Sequence, residues 1–326
     1  MKDGSVDYTI YLQKGLDNHL NIQFPDFPVL INEKGLNIRS NQILNFPKNA
    51  CLIMKPNKEE RYGILNLINV KNVVINNANL KGDREKHIGN SGEWGMGINI
   101  LSSSEIKIIN PIISDCWGDG IYIGEILHKE RKKHKTKDFF CQNICIEGGV
   151  INNNRRNGVS IISVKGLKIE KLTVENTKGT LPMAGICIEP NNNEQFLENI
   201  VLKNIITRNN SEVGIKYVAS NFLGKRNKNV SITIDNYKDY GSKLGLYLGG
   251  ARSSHGKETK KLDGNIKIDG LNLSENEIPI RYGSIQRFNP EISINKLEIT
   301  GNNKRLRSKE KTIVLELNKK GIKTTN

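Results

Sequence analysis

The chain has 326 residues, 37% of them hydrophobic, and carries 49 Lys and Arg against 34 Asp and Glu, a formal charge of +15. Its length suits one elongated domain or two compact ones, and its longest apolar runs, at 63–70 and 72–75, fall far short of the roughly 20 residues of a spanning helix, which excludes a helical membrane protein. The surplus of cations points to a polyanionic partner, nucleic acid or acidic polysaccharide, through steering and counterion release, with solubility alone as the plain alternative.

The N-terminus lacks the apolar stretch of a secretory signal, so no export is expected from it. The location stays open between cytoplasm, virion and an exterior reached with a leader since removed. Residues 5–19 read as an amphipathic capping helix, with Ser5 or Asp7 as N-cap and Ile10, Leu12 and Leu16 available to cover the first strands. A phrase of polar residues, Gly and an alternating strand then recurs at Gly97, Gly120, Gly158, Gly185, Gly214 and Gly245, and in degenerate form at Pro279. Each unit also holds an earlier alternating strand and a second short run, and Asn and Gly punctuate every few positions, which disfavours helix. Three short strands per repeat of some 22 to 30 residues predict an all-β, single-stranded parallel β-helix over 21–300, stacked about 4.8 Å per coil. The N-terminal cap covers 1–20, and 301–326 supplies a last strand and a basic tail.

One step between repeats is longer than the rest because of a basic insertion at 125–140, too polar for the stack and expected to project from a corner as a clamp for an anion or as a solvated loop. The five cysteines are odd in number and form no CxxC pair, so free thiols are expected and no metal site. No cofactor is implied.

The opening "VDYTIYLQKGLDNHL" and the motifs "GEWGMGI" (92–98), "WGDGIYIG" (117–124), "NNRRNGVSI" (153–161) and "AGICIEPN" (184–191) resemble the pectin-lyase-like superfamily of pectate lyases, polygalacturonases and phage tailspike depolymerases. The resemblance covers nearly the whole chain and implies a right-handed helix and action on polysaccharide, with a homotrimer left open. It departs at Tyr8, where a second Asp is usual, and at Cys187, where the last motif usually carries Asp.

If strand residues alternate, the second position after each Gly faces outward, which places Tyr122, Cys187, Lys216 and Tyr247 in one column, with Glu189 two positions beyond Cys187. Glu93, Trp94, Trp117, Asp119, Arg155 and Arg156 lie on the turns leading into it. Asp119 and Glu189, two coils or about 10 Å apart, are the candidate catalytic acids, and Arg156 completes the catalytic set. Glu93, Trp94, Trp117, Tyr122, Arg155, Lys216 and Tyr247 are candidate substrate contacts, aromatic rings facing sugars and cations binding uronate. Each has a plain rival: an Asx corner for Asp119, a stacked structural corner for the two Trp, a salt bridge for Arg155 and Arg156. His87 is either an acid or base beside the face or part of a solvated loop. The expected function is cleavage of an acidic polysaccharide by hydrolysis or β-elimination, with a non-catalytic binding module as the alternative. Nucleic acid rests on charge alone, since aromatic content is 6%. No dense Asp cluster suggests calcium.

Overall fold

The computed structural model describes residues 5–134, 139–249, 260–283, 289–301 and 310–325. The strands stack into a parallel β-helix with three faces. One face is a nine-stranded parallel sheet running from Leu36–Asn37 through Arg61–Ile68, Trp94–Leu101, Ile121–Gly124, Asn157–Ile161, Ala184–Ile188, Val213–Tyr217 and Leu244–Leu248 to Ile278–Tyr282. The other two faces are parallel ladders that begin as separate strands, such as Ser104–Ile109 and Ile112–Ser114, and run on from Leu197–Arg208 as single strands of 10 to 12 residues.

The asparagines explain the bends. From Lys71–Asn76 onward each coil turns between the two ladders in the left-handed region, and Asn77, Asn110, Asn204 and Asn236 hold φ between 48° and 56° there. Asn tolerates this conformation better than most side chains, and Gly148 and Gly270 continue the same column where no side chain is present. Exposed amides join successive coils, as from Asn236 to Asn204 at 2.7 Å.

The repeated glycines also form one column: Ile98, Ile121, Val159, Ile186, Ile215, Leu246 and Ile280, each following its Gly or Pro, pair in unbroken register. The reason is space. A Cβ on Gly158 would lie 2.0 Å from Val174 Cγ1 and 2.6 Å from the Gly185 carbonyl oxygen. The sheet extends two coils further toward the N-terminus than the glycine phrase shows, with Ile64 opposite Gly97. Ile and Val fill the interior, almost all of them fully buried.

The N-terminal helix, Thr9–Asn18, covers the open end with Leu16 and Leu12. Ile10, expected on the covering face, is instead 74% exposed, because the helix turns that side to solvent. Tyr8 occupies the N-cap position and makes no side-chain cap, while Asp7 accepts a hydrogen bond from the Thr9 N–H at 3.0 Å. At the other end the expected strand is a helix, Glu310–Lys319, followed by a short strand, Lys323–Thr325, paired to Ser293–Asn295. Leu317 is buried and Leu315 exposed, and Ile313 and Val314 pack on the core. One helical face is satisfied there, which alternation could not distinguish from a strand.

Candidate functional site

A cavity of about 580 Å³ opens on the outer face of the nine-stranded sheet, over the coils of Arg61–Ile68, Trp94–Leu101 and Ile121–Gly124. Asn66, Asn99 and Tyr122 line its floor, Glu93, Trp94 and Arg156 one side, and Glu125, Leu127 and Asn191 the other. Four of the expected residues meet here: Glu93, Trp94, Tyr122 and Arg156.

Arg156 is the hub. Its Nη1 donates to both Asp119 oxygens at 3.0 and 3.3 Å, and its Nε donates to Glu93 Oε2 at 3.1 Å. Asp119 precedes the column glycine, in register with Met96 and Asn157 and, further on, with Ala184, Val213 and Leu244, the last three packed apart from the main core. Its side chain is 0% exposed and also accepts from the Asn157 N–H at 3.0 Å and the Ser160 hydroxyl at 2.7 Å. Expected on the groove surface, Asp119 is instead sealed beneath Arg156, because three donors converge on it with four hydrogen bonds. Burial pushes its carboxyl above the usual range, against the pull of Arg156, Ser160 and Asn157. Burial works against the Arg156 charge too, but Asp119 outweighs it and holds the guanidinium firmly protonated. Arg156 keeps one-fifth of its side chain exposed and Glu93 42%. Burial, with Asp119 nearby, pushes the Tyr122 phenol up to about 12.

Trp94 and Trp117 part company. Trp94 stays exposed in the cavity with the Arg61 guanidinium 4.6 Å from its ring centroid. Trp117, expected as a sugar platform, is buried: His87 stacks on it at 3.9 Å, Arg155 lies 3.8 Å from its centroid, and its Nε1 donates to the Ser91 carbonyl. Arg155 also donates to the Gly92 carbonyl at 2.8 Å, so both hold the 82–93 loop in place instead of facing a ligand.

His87 is not on a solvated loop. Its Nδ1 donates to Asp83 at 2.8 Å, Asp83 accepts as well from Tyr62 and Asn57, and both side chains of the His87–Asp83 pair are fully buried. This knot fixes the loop that ends in Glu93. Asp83, Tyr62, Arg61 and Glu125 were not singled out from sequence. Arg61 and Trp94 pair at the first positions of adjacent strands.

The remaining expected residues lie further along the sheet, outside the cavity. Glu189 accepts from Lys216 Nζ at 3.0 Å and from the Cys187 thiol at 3.4 Å, and Tyr247 packs on the cluster of Ala184, Cys187, Val213 and Leu244. Burial, then Glu189, pushes the Cys187 thiol up. Among the described residues no group of three or more His, Cys, Asp or Glu is placed to hold a metal.

No family model matches the chain. An uncharacterised Bacillus subtilis (strain 168) protein, YclG, is 29% identical over 202 residues, 58% of this chain and 31% of that relative, so the chain spans about a third of the relative's length. The endo-xylogalacturonan hydrolase of Aspergillus tubingensis superposes with a TM-score of 0.63 at 11% identity, covering 93% of this chain and 83% of that one. The Streptococcus pneumoniae surface adhesin PfbA superposes with a TM-score of 0.53 at 11% identity, covering 93% and 98%. The fold is the right-handed parallel β-helix of the pectin-lyase-like proteins.

Proposed function

We propose that this chain binds a linear acidic polysaccharide across the cavity and cleaves it by β-elimination at Arg156. The observation that carries this is the Arg156 guanidinium, fixed from below by buried Asp119 and shared at its other edge with exposed Glu93. A uronate carboxylate entering the cavity meets a planar, pre-oriented cation and replaces Glu93 on it. Glu93, so released, takes the proton α to the uronate carboxylate. The electron pair left on that carbon forms the ring double bond and expels the glycosidic oxygen, which Tyr122 protonates. A phenol that holds its proton up to about 12 suits a donor. Trp94 offers a ring face to the neighbouring sugar. Hydrolysis by Asp119 and Glu189 is disfavoured, since one is sealed and the other is tied to Lys216.

The fold neighbours support a carbohydrate-active role: among them are a xylogalacturonan hydrolase, a polygalacturonase and a capsular polysaccharide depolymerase. The second reading is binding without cleavage, favoured by buried Cys187 standing where the resembled motif carries Asp, and by the likeness to an adhesin. Incubation with a panel of uronate and capsular polysaccharides decides. Unsaturated ends together with new reducing ends are expected, and Arg156→Ala or Glu93→Gln abolishes both. Reducing ends alone mean hydrolysis, and retention without products means the binding reading.

A further inference from the structure

The connections that leave the nine-stranded sheet vary widely in length. Three of them, at 69–70, 102–103 and 162–163, are two residues long, whereas those at 125–140, 189–196, 218–228, 249–262 and 283–290 are much longer. These five hold fourteen Lys and Arg against six Asp and Glu, a surplus of eight within the chain's fifteen. The described parts of the first four are stitched together. Glu125 accepts from Arg131, Asn192 and Gln195; Glu194 receives Arg131 and Arg226; Asn193 bonds the Phe222 carbonyl; and the Lys260 N–H reaches the Gly224 carbonyl. Phe196 packs on Phe140 and takes the ammonium groups of Lys165 and Lys228 at 3.9 and 4.1 Å. The result is a ridge running along the groove, its inner side forming the cavity wall at Glu125, Leu127 and Asn191.

The stitching consumes the carboxylates Glu125 and Glu194, while Lys132, Lys260 and Lys261 stay exposed and in no salt bridge among the described residues. From Lys132 to Lys260 is a span of four coils, about 19 Å. We propose that this ridge is a second binding surface, which holds the part of an acidic polysaccharide that flanks the segment in the cavity. This rests on the cavity reading for the identity of the polymer. A glycan fits better than single-stranded nucleic acid because the ridge's described aromatic rings are spent on each other and on lysines, leaving no platform for bases. The ridge acts as an electrostatic rail, so its contribution is screened by salt.

The test is a full-length K132E/K260E/K261E variant, with polygalacturonate as the anionic probe, a neutral glucan as control, and affinity measured against sodium chloride. The expected result is a loss of affinity of roughly tenfold at low salt and a salt slope lower by about two to three, with turnover of short oligouronides unchanged. Thermal melting stays at the wild-type value because the three side chains are exposed. An unchanged affinity and slope overturns the ridge, as does wild-type retention of single-stranded DNA in place of polygalacturonate. Failure of the cavity reading looks different: no substrate yields products, yet salt-dependent binding is still lost in the variant.

Discussion

Asp119→Ala tests whether that carboxylate is a structural anchor or a reactive group at the surface. Truncation leaves the Asn157 N–H and the Ser160 hydroxyl buried without their acceptor and removes both contacts to Arg156 Nη1. Breaking a buried ion pair costs about 3–5 kcal/mol, and since Arg156 is one-fifth exposed and retains Glu93, the cost here is about 2–4 kcal/mol. Asp119→Asn keeps an acceptor for the Asn157 N–H and loses less, about 1–2 kcal/mol. The pH dependence has a definite sign. Because burial raises the folded carboxyl above its unfolded value of 3.8, stability from this group is fully present below 3.8 and is lost as pH rises through the folded value. Asp119→Asn cannot ionise, so the gap between it and wild type narrows as pH rises across that window. Denaturant unfolding of the three proteins from pH 3 to 8 measures both effects. An Asp119→Ala protein within about 0.5 kcal/mol of wild type at pH 7 refutes the anchor.

Gly158→Ala places a methyl 2.0 Å from Val174 Cγ1 and 2.6 Å from a carbonyl oxygen, so it destabilises by about 1–3 kcal/mol in denaturant unfolding, whereas Gly15→Ala, on the cap helix with nothing within 4 Å, is neutral or stabilising. Tyr122, whose folded value rises to about 12, contributes stability that is present below 10 and lost as pH climbs from 10 through about 12; alkaline melting of Tyr122→Phe against wild type shows the slope disappear in the variant. Trp94→Ala weakens polysaccharide binding by roughly tenfold with melting unchanged, since its ring is exposed, while Trp117→Ala lowers stability by about 3–5 kcal/mol because it empties a buried stack; affinity and unfolding measured on both separate the roles.

The β-helix was legible in the sequence because its rules are local and repeated. Gly stands where a Cβ has no room, Asn stands where φ is positive, and alternation with period two marks strands in every coil. Register follows from the same repetition, so the column through Tyr122, Ser160, Cys187, Lys216 and Tyr247 is readable from the spacing of the glycines, and the strand pairing reproduces it. What alternation does not carry is how deep an outward residue lies. Asp119 and Trp117 share the groove side with Glu93 and Trp94, yet the first is sealed by donors from the following coil and the second by a loop beginning some 30 residues earlier. The helix at 310–319 and the buried Asp83–His87 pair escaped for a related reason, since each is fixed by what packs against it and not by its own neighbours in sequence. Period and turn chemistry set which side of a coil a residue occupies, and contacts between segments distant in sequence decide whether water, or a ligand, can reach it.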